Sequence, residues 1–124
     1  MTEIDSTAKI GNNVTMDDSV VVEKEAVIGD NCTFGKKVMI EKKTVIGSGV
    51  KLGDGCVIEK KVRIGNDTVL GTKVVVTKKA VIGREVTIGD NAMLEKNSIV
   101  LDNATVPEGA LIKEDTTFPK DKKN

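Results

Sequence analysis

The sequence predicts an all-β fold: a single-stranded, three-sided solenoid of short parallel strands, with 18 residues per coil and about six coils. Three observations carry that expectation. Steps of six from Ile10 reach Met16, Val22, Ile28, Phe34, Ile40, Ile46, Leu52 and Ile58, and run on to Val106, Ile112 and Phe118; all 19 positions are large and apolar. With 39% hydrophobic residues overall, chance fills one register in this way with a probability of about 10⁻⁸. A second column, two residues earlier, holds nothing bulkier than Val: Ala8, Val14, Val20, Ala26, Cys32, Val38 and Thr44, then on to Ala110 and Thr116. Third, Gly follows the large residue at 11, 29, 35, 47, 53, 65, 71, 83 and 89.

A period of six suits neither a helix nor a long alternating strand, but it suits a short strand and a sharp turn repeated without interruption. Residues two apart on a strand face the same side, so the small and large columns point inward together. Gly is expected to relieve the backbone where the chain bends. The longer period shows in the near-repetition of 26–43, 44–61, 62–79 and 80–97. In every third hexad the Gly gives way, usually to a charge, at Glu23, Glu41, Glu59 and Glu95, and Lys follows at 24, 42, 60, 78 and 96. The expected organisation is a lead-in over 1–7, the solenoid over 8–118 and a charged tail over 119–124.

The pattern aliphatic-Gly-x-x-small-x, as in Ile28-Gly29-Asp30-Asn31-Cys32-Thr33 and Ile88-Gly89-Asp90-Asn91-Ala92-Met93, resembles the hexapeptide-repeat, left-handed parallel β-helix proteins. The left hand of the coil is implied by that resemblance alone. The superfamily comprises acyltransferases, γ-class carbonic anhydrase-like proteins, and non-catalytic β-helix domains of sugar nucleotidyltransferases and cytoskeletal complexes. Many are trimers. The acyltransferase members imply a histidine general base and the γ-class carbonic anhydrases three zinc-bound histidines, yet this chain has no His. An imidazole titrates near neutrality, as the deprotonation of an acceptor requires. No catalytic residue, metal site or cofactor is therefore expected.

The residue between each inward pair points outward. On one side these are Lys9, Val27, Val45, Arg63, Val81 and Ile99, and on the second Thr15, Thr33, Lys51, Val69, Thr87 and Thr105. On the third they are Val21, Met39, Val57, Val75, Met93 and Leu111. An unbroken apolar row is unusual for a surface and reads as a self-association face, with a homotrimer ahead of a dimer because of the resemblance. Beside it stands the ladder Glu23-Lys24, Glu41-Lys42, Glu59-Lys60 and Glu95-Lys96, read as a solvated corner.

The remaining expectations are exclusions. Nineteen Lys and Arg against nineteen Asp and Glu argue against nucleic acid, and no apolar run approaches the roughly 20 residues of a membrane span. The N-terminus does not read as a signal peptide, and two cysteines do not make a disulfide scaffold, so a cytoplasmic protein is expected. Cys32 and Cys56 read as buried thiols, and Asp30, Asp54 and Asp90 as turn residues. The resulting expectation is a non-catalytic structural or assembly module. The alternative is an acyltransferase-like protein that uses a base other than His, or that binds acyl-CoA or a nucleotide sugar between subunits.

Overall fold

A computed structural model describes residues 3–120. The repeating hexads form strands of two residues each, all paired in parallel, in three sheets of seven, seven and five strands. The first sheet runs from Lys9–Ile10 through Val27–Ile28, Val45–Ile46, Arg63–Ile64, Val81–Ile82 and Ile99–Val100 to Thr117–Phe118. The second holds Thr33–Phe34, Lys51–Leu52, Val69–Leu70, Thr87–Ile88 and Thr105–Val106, with Thr15 bridged to Thr33. The third runs from Glu3–Ile4 through Val21–Val22, Met39–Ile40, Val57–Ile58, Val75–Val76 and Met93–Leu94 to Leu111–Ile112. Each residue pairs with the one 18 places on, as in Val57↔Val75 and Arg63↔Val81. Glu3–Ile4 pairs with Val21–Val22, so the stack already includes residues read as lead-in; Met1, Thr2 and residues 121–124 of the tail lie outside the described residues.

The core is the two inward columns stacked along the axis. From Val20 to Val106 both are buried throughout. Four polar members of the small column find partners by one rule: Cys32, Thr44, Cys56 and Thr68 each donate to the carbonyl 15 residues ahead. Thr44 Oγ1 reaches Glu59 O and Thr68 Oγ1 reaches Gly83 O, both at 2.8 Å, while Cys32 and Cys56 Sγ reach Gly47 O and Gly71 O. Ser98 fails this rule. The Lys113 carbonyl 15 places on already accepts from Thr116 N and Oγ1, and Ser98 Oγ is buried without a partner among the described residues. At the ends, Ala8, Ile10, Val14 and Met16, and Ala110 and Phe118, are only partly covered.

The corners correct the expected role of Gly. The glycines after the large residues do not carry positive φ; that conformation belongs to the residue two places later, as at Asn31, Lys37, Lys73 and Asn91, and equally in the hexads without Gly, as at Glu25, Lys43 and Lys61, with non-Gly φ between 56° and 64°. These Gly positions are instead crowded by the next coil. A Cβ on Gly29 would stand 2.7 Å from the Gly47 carbonyl carbon and the Ser48 nitrogen. Gly is needed there for close approach, not for backbone freedom.

Candidate functional site

Two stacking devices distinguish the corners. In the corners between first and second and between second and third sheets, short polar side chains reach back along the stack. Asp30, Asn66 and Asp102 Oδ1 accept from the N–H groups of Asn12, Ser48 and Arg84, and Asp54 and Asp90 from Lys36 and Thr72, all at 2.8–3.0 Å. Asp30, Asp54 and Asp90 are thus turn braces. No group of three or more Asp, Glu, His or Cys among the described residues is arranged to hold a metal ion.

The corner between third and first sheets works the other way. Glu59 Oε1 accepts from Lys78 N and Glu95 Oε1 from Glu114 N, reaching forward to the next coil. Glu41 has the same partner one coil earlier, the Lys60 N–H. Partial burial, with Glu59 and Glu23 stacked on either side, raises the Glu41 carboxyl above the ordinary glutamate value. The carboxylates at 41, 59 and 95 therefore brace coils, while Lys24, Lys42, Lys60, Lys78 and Lys96 stand beside them in the same corner.

The six apolar residues singled out in the sequence come together as one row on the third sheet, in the register Val21↔Met39↔Val57↔Val75↔Met93↔Leu111. The first four are half-buried and Met93 and Leu111 exposed. The first sheet carries a second apolar row that sequence reasoning passed over: Val27, Val45, Val81 and Ile99, each 38–40% exposed and interrupted by Arg63. The signal was present in the same outward column. Two apolar sides thus meet at the Glu-Lys corner, and the second sheet, with Thr15, Thr33, Lys51, Thr87 and Thr105, is the polar side.

Where the first sheet meets the second, a shallow hollow of about 380 Å³ is lined by Val45, Arg63, Asn66, Arg84, Asp102 and the glycines at 47, 65 and 83, among others. Arg63 and Arg84 are the only arginines in the chain. Arg84 Nε lies 3.7 Å from Asp102 Oδ2 in an exposed pair, of a kind that contributes little. A larger hollow, about 480 Å³, opens at the N-terminal end beside Ile4, Val21, Glu23 and Lys42. Cys32 and Cys56 are free and buried, and burial pushes both thiols up, away from nucleophilic thiolate. Among the described residues no helix is long and apolar enough to cross a membrane.

Comparison with known proteins agrees with this architecture. The chain is similar to a hexapeptide transferase family protein from Anaplasma phagocytophilum, with 25% identity and a TM-score of 0.84 over 91% of this chain and 70% of that one. It is similar in fold to AntD, an N-acyltransferase from Bacillus cereus solved with dTDP-4-amino-4,6-dideoxyglucose and coenzyme A (14% identity, TM-score 0.81, 87% and 73% covered). It also resembles the acetyltransferase domain of PglB from Neisseria gonorrhoeae, solved with acetyl coenzyme A (17%, TM-score 0.68), spanning 89% of this chain and half of that one. No curated protein sequence matches. The family model for the hexapeptide repeat of succinyl-transferase matches residues 61–102, and that for the GMPPB C-terminal domain matches residues 1–81. The chain therefore belongs to the GMPPB C-terminal domain family and is a β-solenoid built of hexapeptide repeats.

Proposed function

We propose that this chain is an acyltransferase-like hexapeptide-repeat protein that self-associates through the outer row of its third sheet and holds an acyl-CoA or nucleotide-sugar ligand in the clefts between subunits. The observation that carries this reading is the unbroken row from Val21 to Leu111, which gives one side of the solenoid a surface suited to a second copy. Removing six such side chains from water at about 1–2 kcal/mol each offsets the several kcal/mol that association costs. The ligand class follows from the fold-level likeness to proteins solved with coenzyme A and a dTDP-sugar. By the same likeness, a trimer is the assembly we favour.

Transfer itself needs a base to take the acceptor's proton. With no His in the chain, that base is a carboxylate or is absent. The missing His favours a second reading, a non-catalytic assembly module of the same shape. The two separate in one experiment. Light scattering gives the solution mass, and thermal unfolding is followed with and without acetyl-CoA and a dTDP-sugar. A ligand at 100 times its Kd stabilises by about 2.7 kcal/mol, a shift of several degrees. Val57→Lys and Val75→Lys should dissociate the oligomer with the coil still folded, and abolish the ligand shift. An oligomer that no ligand stabilises supports the assembly module, and a monomer at all concentrations rules out both readings.

A further inference from the structure

The first–second corner follows a rule with one interior exception. At its middle position the turn N–H is capped by a side chain 18 residues ahead: Asn12 N by Asp30, Asp30 N by Ser48 Oγ, Ser48 N by Asn66, and Arg84 N by Asp102. Asn66 N falls outside it. The residue 18 places on is Arg84, whose guanidinium has donors and no acceptor, and no group among the described residues accepts from the Asn66 N–H. The position where every other interior coil places an oxygen is therefore left with a donor, and both arginines of the chain line the hollow around it.

We infer that this hollow binds a phosphoryl oxyanion, one oxygen taking the acceptor position on Asn66 N–H and the others held by Arg63 and Arg84. Arg63 makes no ion pair among the described residues, and Arg84 has only the loose, exposed contact with Asp102, which a phosphate can displace. Guanidinium forks match phosphate oxygens in pairs, as lysine does not. The chain carries many exposed lysines, but the two arginines converge here. The glycines at 47, 65 and 83 leave the corner without side chains that would hold a ligand off, and Val45 supplies an apolar margin beside the charge. In a three-sided solenoid the first–second corner lies opposite the third sheet, so the oxyanion site stands on the corner geometry alone and is separate from a ligand cleft at the third-sheet interface.

The test follows the Asn66 amide of the full chain by ¹⁵N-edited NMR during titration with inorganic phosphate, ADP and coenzyme A. Saturable movement of Asn66 is expected with at least one of them, with binding weakened roughly tenfold or more in Arg63→Gln. Arg84→Asn is the sharper variant. It restores a short acceptor over Asn66 N–H, as Ser48 and Asn66 provide in their own coils, so it should fold as well as the parent while losing the site. If Asn66 stays still with all three compounds, or Arg84→Asn binds as tightly as the parent, the site is wrong. Coenzyme A or ADP moving other resonances but not Asn66 overturns the site and leaves the ligand reading standing. Inorganic phosphate binding as tightly as ADP and coenzyme A supports the site, and withdraws its support for a nucleotide ligand.

Discussion

Replacing Gly65 by Ala tests the claim that corner glycines serve coil spacing. A Cβ there would lie 2.6 Å from the carbonyl carbon of Gly83 and 2.7 Å from the Arg84 nitrogen, short of the 3.4 Å at which ordinary contact begins by 0.8 and 0.7 Å. Both obstacles are backbone, so no side chain can swing aside. The coil above is tied down on either side of the contact by Gly65 N–Ile82 O at 2.9 Å and Glu85 N–Asn66 O at 2.9 Å. Lifting it far enough to clear the methyl stretches these bonds past useful length, while leaving it in place accepts overpacking of about 1–3 kcal/mol. Ala gains about 0.4–1 kcal/mol from a less disordered unfolded chain, so the net loss should be about 1.3 kcal/mol, within a span of about 0–2.6 kcal/mol, read as a lower urea midpoint. Gly109→Asn is the matched control: its φ is +71° and nothing lies within 4 Å of its Cβ position, and Asn tolerates that conformation, so it should change stability little. If Gly65→Ala unfolds at the wild-type midpoint, the coils yield to a methyl group and their spacing does not require Gly. If Gly109→Asn is the costlier of the two, backbone freedom rather than space explains the glycines.

Two other consequences concern the small column and the glutamate corner. Thr68→Val keeps shape but leaves the Gly83 carbonyl and the Val86 N–H without the hydroxyl that now serves both at 2.8 and 3.2 Å; a loss of about 1–3 kcal/mol is expected in urea unfolding. Ser98→Ala removes a buried hydroxyl that has no partner among the described residues and should be neutral or slightly stabilising, so the opposite order for these two variants would refute the hydrogen-bond rule. Because the Glu41 carboxyl is raised in the folded chain by burial and by Glu59 and Glu23, the folded state holds the Glu41 proton more tightly than the unfolded state. Its contribution to stability is then fully present below the ordinary value of 4.5 and falls away as pH rises through the raised value. Glu41→Gln should remove that part of the pH dependence, gaining over the parent at neutral pH but not at pH below about 4; identical pH profiles for parent and variant would show that stacking with Glu23 and Glu59 is inconsequential.

The six-residue phase gave the strands, their register and the inward columns because each column has a single environment from one end of the solenoid to the other. The corners were harder to read. Lys43, Lys61 and Glu25 occupy left-handed turns that composition assigns to Gly or Asn, because the stacked coil supplies what the residue lacks: Lys61 N, for instance, donates to Lys42 O at 3.1 Å. Asp30 and Asp54 looked like ordinary turn formers, and their bonds to the preceding coil appear only once residues 18 apart are superimposed. The outward apolar row from Val21 to Leu111 was visible as a column. Arg63 and Arg84 were not visible as a pair, since they lie in different columns, 21 residues apart, and meet only because one coil plus half a hexad brings a strand residue beside a corner residue.

A solenoid of this kind separates what holds it together from what it presents. Stability resides in the inward columns and the corner braces, where each coil depends on its neighbours, and the fold itself is shared with proteins only 25% and 14% identical to this chain. The outward position of each hexad meets no such constraint, so a departure there from plain solubility carries information about use. The second sheet offers mostly Thr and Lys; the third and first sheets offer aliphatic and Met side chains. Charges in the intervening corner are partly committed to bracing, since Glu59 and Glu95 accept backbone N–H groups of the next coil. Against that background Arg63 interrupts an apolar row and Arg84 interrupts a ladder of acceptors. Two breaks in two independent patterns, facing one hollow, single out this corner as the place where the surface departs most from what the fold alone requires.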